Sequence, residues 1–234
     1  MADRSPLGAL LDLLLPVECG GCGAPGRTWC PDCELLLRAP ARVYPPCCAA
    51  GPPVYALGAY RGGLREALLA YKERGRRDLA GPLGSALAAA VLGAPPEARG
   101  LQIPPSGGLY LVPVPSRRSA AARRGGQHMA LLAQRAAAAL AAAGVATAVA
   151  PALRMARGVR DSVGLAPADR QANLAGRVLL QRAGLPPAGT PVVLIDDVVT
   201  TGATVAACFT ALIRTGIQVP AIVALAVAGR DALS

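Results

Sequence analysis

The sequence predicts an open α/β fold: a mainly parallel sheet with flanking helices, preceded by a small cysteine-rich module. Three observations point there. From Val54 onward, short β-rich runs alternate with longer helical ones. One run, Val192–Ile195, is continuously apolar, as a strand covered on both faces requires. Six of the seven cysteines fall within the first 48 residues, ahead of that alternation. Such alternation builds an open sheet that binds ligands beyond the carboxyl ends of its strands.

The 234 residues suit one domain of moderate size plus a small module, divided here as 1–50 and 51–234. At 53% hydrophobic and 16% charged, the composition excludes a disordered chain. The net charge of +10 fits a polyanionic ligand, and aromatics at 3% leave few platforms for stacking bases. The charge-free stretch Ala136–Leu153 has 18 residues, near a membrane span in length. Gly144, Thr147 and Pro151 interrupt it, and it reads as a helix ending near Gly144 followed by a strand Val145–Val149. The run Leu7–Leu15 carries Asp12 at its centre and lacks a small-residue cleavage site, so it is not read as a signal peptide. No membrane span is expected, and a cytoplasmic location is.

Cys19, Cys22, Cys30 and Cys33 read C-x2-C-x7-C-x2-C. Each C-x2-C turn lets two thiolates reach one ion, and two such turns complete a tetrahedral sulfur site. A structural Zn²⁺ is the expectation; in a reducing compartment disulfides are the weaker alternative. Trp29 is expected to pack over this module, which is too small for its own core. The adjacent Cys47 and Cys48 read either as substitute ligands or as small residues of a Pro-rich linker, Pro40–Pro53. Cys208 lies in an apolar helical stretch and reads as core.

Expected strands follow at Val54–Tyr60, Tyr110–Val114, Val145–Val149, Val178–Leu180, Val192–Ile195 and Ala221–Ala226. Expected helices cover Gly63–Glu73, Leu79–Leu92, Gln127–Ala143 and Thr204–Thr215. Lys72, at a charge-rich helix end, reads either as solvated, the commoner case, or as pointing into the site, and the single histidine, His128, as a packing or capping residue.

The chemistry concentrates in Pro191–Val205, PVVLIDDVVTTGATV. An apolar strand runs into Asp196-Asp197, then a Thr/Gly loop, then a helix. Thr200, Thr201, Gly202, Ala203 and Thr204 bring hydroxyls and backbone N–H groups to a helix N-terminus, where the dipole and the unpaired donors favour a phosphate. Two carboxylates beside that cradle would repel a polyphosphate, so they suit sugar hydroxyls or a metal ion. A phosphorylated sugar fits better than a nucleoside triphosphate, and no G-x4-G-K-[ST] loop is present.

This stretch resembles the phosphoribosyl pyrophosphate (PRPP) signature of type I phosphoribosyltransferases. The cysteine ribbon, Tyr71-Lys72-Glu73-Arg74-Gly75, Val112-Pro113-Val114-Pro115 with the Arg/Gly run after it, and Arg170 with Asn173 are together similar to the ComF family, from about Leu10 to Ala228. The resemblance implies a type I phosphoribosyltransferase-like sheet. It implies that Asp196 and Asp197 contact ribose hydroxyls and that Thr200 to Thr204 hold the 5′-phosphate. It places Arg117, Arg118, Arg123 and Arg124 at the diphosphate and makes Arg154–Asn173 a hood over the site. Where family members often carry Gln in that hood, this chain has Ser162. The implied activity is Mg²⁺-dependent PRPP binding with transfer of phosphoribosyl to an unidentified acceptor. Asp196 and Asp197 would hold the sugar while Arg117 stabilises the departing diphosphate. Two alternatives stay open: a competence-associated factor that binds single-stranded DNA with the DNA-uptake machinery, and a PRPP-sensing regulator without catalysis.

Overall fold

The computed structural model describes residues 17–37, 39–93, 108–115, 128–156 and 178–229. Six strands form one sheet, β1 (Ala41–Val43), β2 (Val54–Ala59), β3 (Leu109–Pro113), β4 (Thr147–Val149), β7 (Val192–Val199) and β8 (Ala221–Val227), in the order β1-β2-β8-β7-β3-β4. All neighbours are parallel except β1, which runs antiparallel to β2 at the edge. A separate antiparallel pair joins β5 (Leu153–Met155) to β6 (Val178–Leu180). The helices are α1 (Pro31–Glu34), α2 (Gly62–Glu73), α3 (Ala80–Leu92), α4 (His128–Ala142) and α5 (Ala203–Ile213). The expected α/β architecture, a mixed but mainly parallel sheet with helices on it, is the one observed.

Strand alternation sorts the core into two layers. Val193 and Ile195 of β7 join one apolar cluster with residues of α2, α3 and α4. Val192 and Leu194 join another with residues of α5, including the fully buried Cys208. Burial on both faces explains the unbroken apolar run of β8, all seven residues of which are buried. In the first layer α3 and α4 touch closely: a Cβ on Gly84 would lie 2.5 Å from Arg135 Cβ, so the glycine sets the spacing of the two helices.

Two sequence expectations change. The stretch Pro40–Pro53, read as a linker, carries strand β1 and a 3₁₀ turn at Pro46–Cys48. The prolines flank β1 rather than enter it, so its pairing with β2 keeps its backbone donors. Strand β7 extends past Ile195 to Val199, because β8 continues to pair with it at Asp196↔Ala224, Val198↔Ala226 and Val199↔Val227. The two acids therefore stand inside the sheet ladder rather than after it. The other expected strands and helices lie within two residues of their expected ends, while β5 and the short α1 were not expected; α4 stops before Gly144, whose φ of +85° terminates the turn. No helix among the described residues is long and apolar enough to cross a membrane.

Candidate functional site

Because successive strand residues point to opposite faces, Asp196 and Asp197 separate at once. Asp197 continues the side of Val193 and Ile195 and meets α2 and α4. Its Oδ1 accepts a 2.7 Å bond from Lys72 Nζ, and its Oδ2 lies 2.8 Å from His128 Nε2, which donates to it. The corner is closed by Tyr71, whose hydroxyl donates at 2.6 Å to the His128 carbonyl. Lys72 thus takes the second of its two sequence readings and points into this corner, and His128 packs there on Asp197. Lys72 ends α2 and His128 begins α4, so both side chains arrive at the carboxyl end of β7 from separate helices. Their partner lies 125 and 69 residues away in sequence, and no local spacing announces such a contact. The available signals were coarse: one histidine shortly after a basic run, and one lysine at a charge-rich helix end.

Asp197 is almost fully buried, and burial favours its neutral form. The His128 hydrogen bond and the Lys72 ammonium outweigh that and hold its carboxyl below the usual carboxylate range. Asp196 behaves oppositely. Burial, reinforced by the neighbouring Asp197 charge, pushes its carboxyl well above the usual value. Its Oδ1 accepts the Asp197 backbone N–H at 2.9 Å. It also raises the thiol pKa of Cys208 on α5, where burial is the larger cause. Two adjacent carboxylates therefore differ in charge preference, one ionised between two nitrogen donors and one disposed to keep a proton.

Beyond Val199 the chain turns through Thr200 and Thr201, both exposed, into α5. Gly202 caps the helix with φ +78°, a left-handed conformation that residues with a Cβ adopt at a cost. Thr201 Oγ1 accepts the Ala203 N–H at 3.4 Å, and the first N–H groups of a helix have no intrahelical partner. The turn is braced by the segment before β2. Cys47 N–H donates to the Thr201 carbonyl at 3.0 Å, and Cys48 Sγ lies 3.5 Å from the Gly202 carbonyl. A Cβ on Gly202 would sit 2.5 Å from Cys48 Sγ. Burial, with Cys47 beside it, raises the Cys48 thiol to about 11, so it acts as a packed neutral group.

Cys19, Cys22, Cys30 and Cys33 converge with all four sulfurs within 4.8 Å of one another. In a tetrahedral site with Zn–S near 2.3 Å, sulfurs stand roughly 3.8 Å apart. The Cys22–Cys30 separation of 3.6 Å is close to that. The four thiols could hold one metal ion, and the donor set is the one zinc prefers. Burial opposes ionisation of Cys19, but backbone N–H groups of Cys22, Cys30 and Gly21 prevail and bring its pKa to about 6. Trp29 packs on this cluster, as expected. Arg76 fastens the module to the domain, donating to the Glu18 carbonyl and pairing with Asp78, each at 2.8 Å.

The structure brings Asp196, Asp197 and the Thr200–Thr204 turn to one edge of the sheet. Cys47 and Cys48 lie outside the sulfur cluster, against that turn. Arg117, Arg118, Arg123 and Arg124, with Ser162, Arg170 and Asn173 of the expected hood, lie outside the described residues. Arg154 stands in β5.

No protein-family model matches the chain, and no curated protein matches it. Solved structures do, at a distance. The chain is similar to a hypoxanthine phosphoribosyltransferase from Staphylococcus aureus, with 16% identity, a TM-score of 0.34, and coverage of 66% of this chain and 64% of that one. It is similar to an adenine phosphoribosyltransferase from Leishmania donovani, with 18% identity, a TM-score of 0.34 and coverage of 82% and 65%. The Leishmania tarentolae adenine phosphoribosyltransferase gives 16%, 0.34, 83% and 86%.

Proposed function

We propose that the chain binds PRPP, or a closely related phosphoribosyl ligand, at the carboxyl edge of β7, and transfers its phosphoribosyl group to an acceptor. One observation carries this reading. A buried strand that carries Asp196-Asp197 near its carboxyl end leads through T-T-G-A-T into a helix N-terminus, with Gly202 in the left-handed conformation that this loop needs. The arrangement offers donors to a phosphate and carboxylate oxygens to sugar hydroxyls within one short stretch of chain. The ComF-like motifs of the sequence support the same ligand.

The residues divide the work by charge. The Thr200–Thr204 turn supplies N–H and hydroxyl donors to the 5′-phosphate. Asp197 is ionised and keeps lone pairs for a sugar hydroxyl. Asp196, disposed to hold its proton, can donate as well as accept. The basic run with Arg117 and Arg118 would neutralise charge on the departing diphosphate. Mg²⁺ supplies further neutralisation of that diphosphate when bound. The acid pair is a poor direct cage for it: Asp197 already uses both oxygens on Lys72 and His128, so the ion would be carried by the ligand's own oxygens. The cysteine cluster suits a structural Zn²⁺, which would fix the module against α2 and α3. In the reaction, the acceptor takes the C1 carbon of the sugar, pyrophosphate leaves, and the acceptor's proton passes to solvent.

Calorimetric titration of PRPP with Mg²⁺ tests the reading, with the native protein set against the Asp196→Asn/Asp197→Asn double variant. Saturable binding that the double variant loses supports it. A folded, metal-loaded protein that gives no heat with PRPP overturns it. Pyrophosphate release, screened over candidate acceptor bases, then tests transfer.

A further inference from the structure

The sequence motif accounts for the acids and the threonine turn, yet it has no role for the cation found on Asp197. Lys72 reaches this carboxylate from the last turn of α2, with Nζ 2.7 Å from Oδ1. Its side chain is 21% exposed, whereas the Asp197 side chain is 6% exposed. The ammonium is therefore the more exposed partner, with the carboxylate behind it. An ammonium has three donors, and this bond occupies one of them. His128 holds the other oxygen, so Asp197 keeps a fixed orientation even when Lys72 leaves.

Position indicates what Lys72 would meet. The phosphate turn belongs to the α5 side of the sheet, and Lys72 stands on the α2 and α4 side. A ligand held at the α5 turn and crossing the end of β7 therefore has its far end on the α2 and α4 side, nearest Lys72. For a phosphoribosyl ligand with its 5′-phosphate on the α5 turn, that end carries the diphosphate.

We propose that Lys72 is a ligand-contacting residue that exchanges partners: it neutralises Asp197 in the empty site, and it passes to the ligand's diphosphate when a sugar hydroxyl takes its place on the carboxylate. This inference rests on the PRPP reading above. The exchange keeps the buried carboxylate compensated in both states, since one donor replaces another. It also makes the site discriminate by diphosphate, because a ligand that takes Asp197 without offering an anion leaves the ammonium unpaired.

The test compares native protein with Lys72→Met and Lys72→Gln in calorimetric titrations of PRPP, ribose 5-phosphate and inorganic pyrophosphate. Thermal melts select whichever variant folds. A charge-assisted contact to a phosphoryl oxygen predicts a loss of about 10-fold or more in PRPP and pyrophosphate affinity. Ribose 5-phosphate should lose no affinity and should gain some, since the variant removes an ammonium that this ligand leaves unpaired. Lys72→Arg should recover part of the PRPP affinity. Equal losses for PRPP and ribose 5-phosphate would show that Lys72 only holds Asp197 in place, and unchanged PRPP affinity would show that it does not touch the ligand; either overturns the exchange and leaves the PRPP reading standing. Native protein that binds no PRPP removes that reading and the exchange with it. Where ribose 5-phosphate binds too weakly to measure, the pyrophosphate titration decides.

Discussion

His128 Nε2 and Asp197 Oδ2 lie 2.8 Å apart, although 69 residues separate them, and the bond ties the start of α4 to the end of β7. Both side chains are buried, at 7% and 6% exposure. His128 Nδ1 has no partner among the described residues. The imidazole therefore spends its one bond on the acid and works as a brace for it.

Replacing His128 with Ala removes one of the two donors on a buried carboxylate. A hydrogen bond to a charged group contributes about 1.5–3 kcal/mol, and urea unfolding should show a loss of that order. His128→Asn, which can still donate, should lose less. Equal losses in the two variants would assign the effect to packing instead.

The acid pair gives pH dependences of opposite sign. The Asp197 carboxyl is held below its usual value of 3.8, so its contribution is present above that pH and is lost as pH falls through the folded value. Asp196 is raised above 3.8, so the folded protein binds that proton more tightly than the unfolded chain does. Its contribution is present at low pH and declines as pH rises through the folded value. Asp196→Asn should accordingly be stabilised relative to the native protein at neutral pH, with the difference closing towards pH 3.8. Asp197→Asn should be destabilised at neutral pH, and its deficit should shrink in acid. Denaturant midpoints across a pH series check both slopes.

Gly202→Ala places a Cβ at φ +78° and 2.5 Å from Cys48 Sγ. The left-handed conformation alone costs roughly 1–2 kcal/mol, and the thiol must also move. The melting temperature should fall, and PRPP affinity should fall further than stability because the turn itself shifts. Cys48→Ala combined with Gly202→Ala should restore part of the stability and little of the affinity.

The cysteine cluster predicts about one zinc per chain by elemental analysis. Cys33→Ser should lose the metal and destabilise the protein, since Cys33 is buried among the other three ligands. A chelator should reproduce that loss in the native protein. Metal content under roughly half an equivalent in pure protein would argue against the site.

The order of elements was legible in the sequence because each β-rich run is short, apolar and bounded by turn residues. Val192–Ile195 and Ala221–Ala226 are buried on both faces and read plainly. The edge strand Ala41–Val43 did not, since the prolines around it mark turns as readily as an edge. The acids, the T-T-G-A-T turn and the four cysteines were legible because each set is local. Lys72 and His128 were not. Their role depends on two helices meeting one strand, and that is settled by packing of Tyr71, Leu68 and Leu132 rather than by any spacing along the chain.

Strand alternation at Asp196 and Asp197 has a consequence for how such chains should be compared. A doubled letter suggests redundancy, with one copy able to stand in for the other. Here the two columns are not interchangeable. A homologue with Asn at 196 keeps a neutral polar group where this chain favours one, and it retains the charged corner. A homologue with Asn at 197 leaves an ammonium and an imidazole facing an amide. A search pattern that accepts an acid in either column would therefore pool proteins whose sites differ in net charge.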